Sequence, residues 1–307
     1  MRRKYVHGYS RRESGRLLDQ ASALTELLHG DTRYPAGSSV LEAGCGVGAQ
    51  TVILARNSPG ARFTSVDISP ESLAQARARA RRAALGNVVF RQGDIHDLPF
   101  PERSFDHVFV CFVLEHLARP QEALASVRSR LKPGGTLTVI EGDHASVLFH
   151  PDSEYARRAI RCLVEVQSRA GGDALVGRRL FPLLKDAGFA RVTVSPRMVY
   201  VDSSRPEWVK GFTKNTFVMM VEGVREQALA LGLTDPETWR KGIEGLCRTT
   251  AKDGVFCYTF FKAVAVKAGK PSTASMAPSA SGRGPRHLRS SRSSAMGASV
   301  RRVARVR

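Results

Sequence analysis

Val40-Leu41-Glu42-Ala43-Gly44-Cys45-Gly46-Val47-Gly48 runs from a short apolar strand straight into a turn carrying three glycines. An apolar helical stretch, Thr51-Val52-Ile53-Leu54-Ala55, follows at once, so the segment reads as a strand–turn–helix unit. Working outward, the same alternation repeats. Phe63–Asp67 is a second strand ending on an acid. Ser69 then suits an N-cap, Pro70 the first helical position, and Glu71 the positive end of the helix dipole. Val88–Gln92 is a third strand, running into Gly93-Asp94. Phe105–Phe112 is nearly continuous in apolar residues, as a central parallel strand should be. A helix from Pro120 to Leu131 stops at Lys132-Pro133-Gly134-Gly135, and Thr136–Ile140 is the fifth strand, followed by Glu141-Gly142-Asp143-His144. Strands near Arg191–Val194 and Val255–Val266 close the sheet. Alternating strands and helices predict an α/β fold, doubly wound around a mostly parallel, seven-stranded sheet.

Organisation outside this core is also readable. Residues 37–267 form the expected main domain, with helical lid insertions at about 145–172 and 203–252. Residues 1–36 are read as an N-terminal helical cap segment. From Ala268 to Arg307 there are nine Lys or Arg residues, no acid and almost no large apolar side chain, so 268–307 is expected to be a disordered basic tail. That tail carries much of the formal charge of +19, which weakens the case for a nucleic-acid partner made by charge alone. The arginines Arg77, Arg79, Arg81 and Arg82 lie mostly off the apolar stripe of their helix, as on an ordinary solvated face. No apolar run approaches the roughly 20 residues that span a bilayer. The basic start Met1-Arg2-Arg3-Lys4-Tyr5 is followed by polar residues, so no signal peptide is expected. Cys45, Cys111, Cys162, Cys247 and Cys257 are scattered without a CxxC pair, which suits a reducing, cytoplasmic setting and no structural zinc.

In open α/β sheets, ligands bind beyond the carboxyl ends of the strands, near the point where strand order reverses. The informative residues are therefore Glu42 to Gly48, Asp67, Asp94, Cys111 to His116, and Asp143-His144, on five successive strands. The glycine turn alone is weak evidence and is compatible with a variant dinucleotide loop. Its spacing is GxGxG instead of GxGxxG, however, and Glu42 stands two residues before the first glycine. A carboxylate there suits a ligand ammonium better than a pyrophosphate. S-adenosylmethionine carries an ammonium and a sulfonium and no phosphate, so the electrostatics favour it. Asp67 is placed to accept from both ribose hydroxyls, a role common to both cofactor types. Asp94 is a candidate acceptor for an adenine amine, with Ile95 packing on the ring.

Together with Val66-Asp67-Ile68-Ser69, Gly93-Asp94-Ile95, Asp97-Leu98-Pro99-Phe100, Ser104-Phe105-Asp106, Leu114-Glu115-His116-Leu117 and Leu131-Lys132-Pro133-Gly134-Gly135, the glycine turn resembles the ordered motifs of class I S-adenosylmethionine-dependent methyltransferases. It is most similar to the ubiquinone/menaquinone-biosynthesis C-methyltransferase-like group, over roughly Val40 to Asp143. The resemblance implies a Rossmann-like sheet and S-adenosyl-L-methionine as cofactor. Glu42, Gly44, Cys45, Gly46, Gly48, Asp67, Ile68, Asp94, Ile95, Cys111 and Phe112 would line its site. It does not specify a substrate, because the group methylates carbon, oxygen and nitrogen. Outside the core, Tyr5-Val6-His7-Gly8-Tyr9-Ser10 and Val176-Gly177-Arg178-Arg179-Leu180 resemble a subgroup of small-molecule methyltransferases, which implies an N-terminal segment over the cofactor with Tyr9 near it.

Methyl transfer from a sulfonium needs alignment and exclusion of water, and a phenol, enol or amine acceptor must also lose a proton. His144, just past the fifth strand, is the first candidate base, with Asp143 to orient it; His116 is its rival. Cys111 follows Val110 and not a proline, so a core thiol is expected instead of the nucleophile of cytosine methyltransferases. Cys111-Phe112-Val113-Leu114 lacks the Pro-Pro-aromatic turn of amino-methylating nucleic-acid enzymes. No clustered carboxylates suggest a metal. The expected partner is a small, hydrophobic or aromatic methyl acceptor, held by lid residues such as Tyr155, Trp208, Phe212, Phe217, Met219 and Met220. An RNA- or protein-modifying methyltransferase steered by the basic tail is the alternative.

Overall fold

Strand β1 (Ser39–Ala43) sits in the middle of the sheet because four of its five residues are buried and it has a neighbour on each side. The computed structural model describes residues 24–269; Tyr9, most of the 1–36 cap and the tail from 270 lie outside the described residues. Beside β1 run β2 (Arg62–Asp67) and then β3 (Val88–Gln92) on one side, β4 (Phe105–Cys111) and β5 (Leu131–Gly142) on the other, all parallel. Strand β8 (Val255–Val266) runs antiparallel beside β5, and pairs along its other edge with β7 (Arg191–Val201). The order β3-β2-β1-β4-β5-β8 reverses direction between β1 and β4, which is where a doubly wound sheet opens a crevice. The mostly parallel sheet is the one the sequence implies, with one strand more. Strand β6 (Leu148–His150) continues along β8 in a segment expected to be helical. Three residues are too short to show an alternating pattern in the sequence.

Helices α1 (Thr25–His29), α2 (Ala49–Asn57), α3 (Pro70–Arg82), α4 (Pro120–Arg130), α5 (Glu154–Arg169) and α6 (Leu180–Asp186) accompany the sheet. Two apolar clusters result. One, around Val40, Phe63, Phe109 and Ile140, extends to α5 and to the later helices; the other, around Leu41, Val108, Val110 and Leu137, includes residues of α4 and α6. The α3 N-terminus is built as its sequence indicates. Ser69 Oγ accepts the Ser72 amide at 3.1 Å, and Pro70 occupies the first turn. Helix α4 ends at Arg130 because Leu131 already pairs with Phe105. The ladder then jumps to His107 opposite Thr136, so Lys132–Gly135 bulge out of it.

Lys262, central on β8 and buried, anchors α1 and the turn after it. Its Nζ donates to the Leu28 carbonyl at 3.3 Å, to Thr32 Oγ1 at 2.6 Å and to Asp31. Beside it His29 is fully buried, 5.8 Å from the Phe109 ring, and neither ring nitrogen has a hydrogen-bond partner among the described residues. Burial, reinforced by the Lys262 charge and opposed by Asp31, holds its pKa down to about 4. The unfolded chain, with its histidine near 6.5, therefore takes up the proton first on acidification. Stability present above pH 6.5 is lost as the pH falls toward 4, by about 2 kcal/mol at pH 5. Thermal melts at pH 7.5 and pH 5 are expected to show a smaller acid shift for His29→Phe than for the wild type; equal shifts would refute this account.

Candidate active site

At the carboxyl end of β1, Gly44, Gly46 and Gly48 all have positive φ, at 84°, 51° and 76°. The left-handed backbone explains glycine at these positions. The surroundings separate the three. A Cβ on Gly44 would lie 2.4 Å from Val113 Cγ2, and one on Gly48 would lie 2.9 Å from the Ala76 Cβ. Among the described residues nothing lies within 4 Å of that position at Gly46, so its backbone faces open space there. The Gly44 and Cys45 amides donate to the Val66 carbonyl at 2.8 and 2.9 Å, tying the turn to β2.

Asp67, at the end of β2, completes the cradle. Its Oδ2 accepts the Gly46 amide at 2.7 Å and its Oδ1 the Ser69 amide at 2.9 Å. Burial raises its pKa above the ordinary carboxylate value. Glu42 is buried and its Oε2 accepts from Thr51 and Ser65, each at 2.6 Å, so it joins β1, β2 and α2. Burial, with Asp67 adding to it, pushes its pKa up to about 7. Cys45, within the turn, is also buried. At the end of β3, Asp94 Oδ1 accepts the His96 amide at 2.9 Å and meets His96 Nδ1 at the same distance, while Ile95 is buried. Ile68 is half exposed and receives a bond from Gln92 on its carbonyl.

The end of β4 supplies the facing wall. Cys111 is buried, and burial together with Glu141, Glu42 and Glu115 raises its pKa well above the thiol value. A thiol so placed is a poor nucleophile, as the sequence indicates. Phe112 adopts φ 57°, uncommon for a bulky residue, and its amide donates to the Ile140 carbonyl at 2.9 Å. The next two amides, of Val113 and Leu114, both donate to Glu141 Oε1, at 3.0 and 2.7 Å.

The two histidines offered by the sequence meet on one carboxylate. His144 Nε2 lies 3.5 Å from Glu115 Oε2, and His116 Nε2 lies 3.5 Å from Glu115 Oε1. Gln167 of α5 donates to the Glu115 carbonyl at 3.1 Å. His144 is oriented differently from the sequence-based expectation. Its Nδ1 is 2.7 Å from Tyr258 Oη on β8, whereas Asp143 is held by Arg178 in a bidentate pair at 2.6 and 2.8 Å. The guanidinium fork takes both Asp143 oxygens, so Tyr258 is the group that aligns the imidazole. Tyr258 in turn requires Gly142, since a Cβ there would sit 2.2 Å from its hydroxyl.

Around this polar group lies a wall of rings. Tyr258 is 4.7 Å from Phe260 and 5.7 Å from Phe217 between centroids, Phe217 is 4.8 Å from Phe256, and Phe112 is 5.5 Å from Phe260. Phe212 touches Phe256, Tyr258 and Phe260. Phe212 and Phe217 come from the second insertion, where Val209–Val218 is a π-helix between Pro206–Trp208 and Met219–Glu222. Such helices are rare and are frequently found at functional sites. Glu141, Gln167 and Tyr258 were not marked by the sequence; Glu115 stood within the strand-end stretch Cys111 to His116 already singled out, without a role of its own.

The comparisons agree with this geometry. A family model described as a methyltransferase domain matches residues 41–139. The 27-O-demethylrifamycin SV methyltransferase of Amycolatopsis mediterranei is 30% identical over 228 residues, which cover 73% of this chain and 76% of that protein. The chain belongs to the S-adenosylmethionine-dependent methyltransferases. S-adenosylmethionine is the cofactor of this family. The demethylmenaquinone methyltransferase of Tropheryma whipplei is 42% identical over 109 residues, covering 36% of this methyltransferase chain and 44% of its relative. The chain spans about half the length of the first curated relatives it matches. A solved structure of a candidate methyltransferase from Bacillus halodurans superposes with a TM-score of 0.50 at 17% identity, covering 81% of this chain and 98% of that one, and shares the fold. Among the described residues no helix is long and apolar enough to cross a membrane.

Proposed function

We propose that this chain binds S-adenosylmethionine between the glycine turn and Asp67, and transfers its methyl group to a small aromatic or hydrophobic molecule bearing an acidic hydroxyl or enol. The observation that carries the reading is the open, left-handed backbone of Gly46 held by Asp67, a cradle that a side chain would fill. The cofactor supplies an electrophilic methyl on sulfur. The chain's residues would bind and orient it: Asp67 on the ribose, Ile68, Asp94 and Ile95 near the adenine, and the end of β4, Cys111 and Phe112, on the methionine side. Tyr9 and the N-terminal segment belong to the same expectation and lie outside the described residues.

For the acceptor, the ring wall of Phe112, Phe212, Phe217, Phe256 and Phe260 favours an aromatic guest, and Phe212 and Phe217 support a lid role for the second insertion. His144, with His116 as its rival, would take the acceptor's proton, assisted by Glu115. Relatives named for demethylmenaquinone and for 27-O-demethylrifamycin SV support an acceptor of this kind. Calorimetric titration of the full chain with S-adenosylhomocysteine and with NADH tests the cofactor half. Micromolar binding of the first alone is expected; binding of NADH alone would make Gly44–Gly48 a dinucleotide loop. Release of S-adenosylhomocysteine with 1,4-naphthohydroquinone, but not with tRNA, tests the acceptor half. Labelling of tRNA that disappears on removing residues 268–307 would favour the nucleic-acid alternative.

A further inference from the structure

The role of Glu141 goes beyond the residues assigned above. It is fully buried at the end of β5, opposite Phe261 of β8, and a buried carboxyl is costly unless its bonds serve a purpose. One oxygen, Oε1, accepts two successive amides, those of Val113 and Leu114, while Oε2 has no hydrogen-bond partner among the described residues. Those amides open the turn that follows β4. The turn is strained at its entry, where Phe112 has φ 57°, so it holds its shape only if something over-determines it. Its two sides face different parts of the site. Val113 occupies the space where a Cβ on Gly44 would stand, 2.4 Å from its Cγ2, so it sets how closely the turn approaches the glycine loop. Two residues on, Glu115 meets His116 and His144.

We propose that Glu141 is a positioning residue for methyl transfer: by capping the Val113 and Leu114 amides it fixes one turn that sets Val113 against Gly44 and Glu115 against the two histidines. The inference rests on the cofactor reading given above. A carboxyl that caps two amides through one oxygen acts through reach, not charge. Burial and the neighbouring Glu115 raise its pKa well above the carboxylate value, which fits a neutral acid in that role. Glutamine keeps both the reach and the accepting oxygen. Aspartate keeps the acid but is one methylene short.

S-adenosylhomocysteine titrated into the full-length Glu141→Gln, Glu141→Asp and Glu141→Ala variants is the test. Glu141→Gln is expected within about threefold of the wild-type Kd, and Glu141→Asp and Glu141→Ala weaker by tenfold or more. In a Val113→Ala background the spread among the Glu141 variants should collapse, because the contact that transmits the cap to Gly44 is gone. A protein merely destabilised in its core would show neither the rescue by glutamine nor the coupling to Val113. If the alanine variant does not fold, the glutamine–aspartate contrast decides. Wild-type affinity in all three variants, or a glutamine loss as large as the aspartate one, overturns the inference while wild-type binding leaves the cofactor reading intact. A wild-type chain that does not bind overturns that reading and the inference with it.

Discussion

Asp67→Ala is expected to weaken S-adenosylhomocysteine binding about 100-fold and to lower the melting temperature by a few degrees, since the Gly46 and Ser69 amides lose their acceptor. An ionised carboxylate has about four lone-pair sites, and two are taken here by the amides of Gly46 and Ser69, one on each oxygen. The Ile68 amide also stabilises the charged group, and the remaining capacity is what the adjacent hydroxyls of a ribose would use. Hydrogen bonds to charged groups contribute about 1.5 kcal/mol or more each, so losing two costs about 3 kcal/mol, or roughly a factor of 100 in Kd. Asparagine is no substitute. Its amide nitrogen would turn one accepting position into a donor facing either a backbone N–H or a hydroxyl, so Asp67→Asn should lose most of the same affinity. Calorimetry on both variants checks this, with thermal melts to verify the fold. An affinity within threefold of wild type for Asp67→Ala would remove Asp67 from the cofactor site.

The half of the site proposed for the cofactor is legible because it is local. Each of its residues stands within a few positions of a strand end, and strand ends can be found from apolar runs and glycine turns. Gly44, Gly46 and Gly48 announce a backbone that side chains cannot follow, and Asp67 announces the end of β2. The half proposed for the acceptor is legible only in part, for a physical reason. His144 and Tyr258 are 114 residues apart and Gln167 is 52 from Glu115, so no local spacing links them; the sheet order does. The assignment of Asp143 as the partner of His144 failed on the same ground. Adjacent residues past a strand end point in different directions, and Arg178 claims the aspartate from elsewhere in the fold. The left-handed Phe112 left no mark either, since its strain is imposed by neighbours on β5. The π-helix of the second insertion has apolar residues at Val209, Phe212, Phe217 and Val218, which an α-helical pattern reads equally well.

Glu115→Gln should leave S-adenosylhomocysteine affinity within about twofold and reduce turnover with 1,4-naphthohydroquinone about 100-fold. General-base assistance is worth roughly 10²–10⁴ in rate, and the share carried by the group that stabilises the resulting imidazolium is at the lower end of that range. His144 Nδ1 lies 2.7 Å from Tyr258 Oη and its Nε2 faces Glu115, and His116 faces the other oxygen of the same carboxylate. Whichever imidazole takes the acceptor's proton, the positive charge it gains is adjacent to Glu115, at 3.5 Å in either case. Neutralising that carboxylate therefore acts on both candidates at once, which a substitution of one histidine does not. The double variant Glu115→Gln/His144→Asn distinguishes a shared unit from two independent contributions. If His144 is the base, the double variant is no slower than the slower single one, since groups that act as a unit lose their effect together. If His116 is the base, the second substitution adds a further loss smaller than tenfold, through repacking against Tyr258 and Phe217 alone. Equal turnover for wild type and Glu115→Gln would mean that neither histidine handles the proton, leaving alignment and exclusion of water to account for the rate.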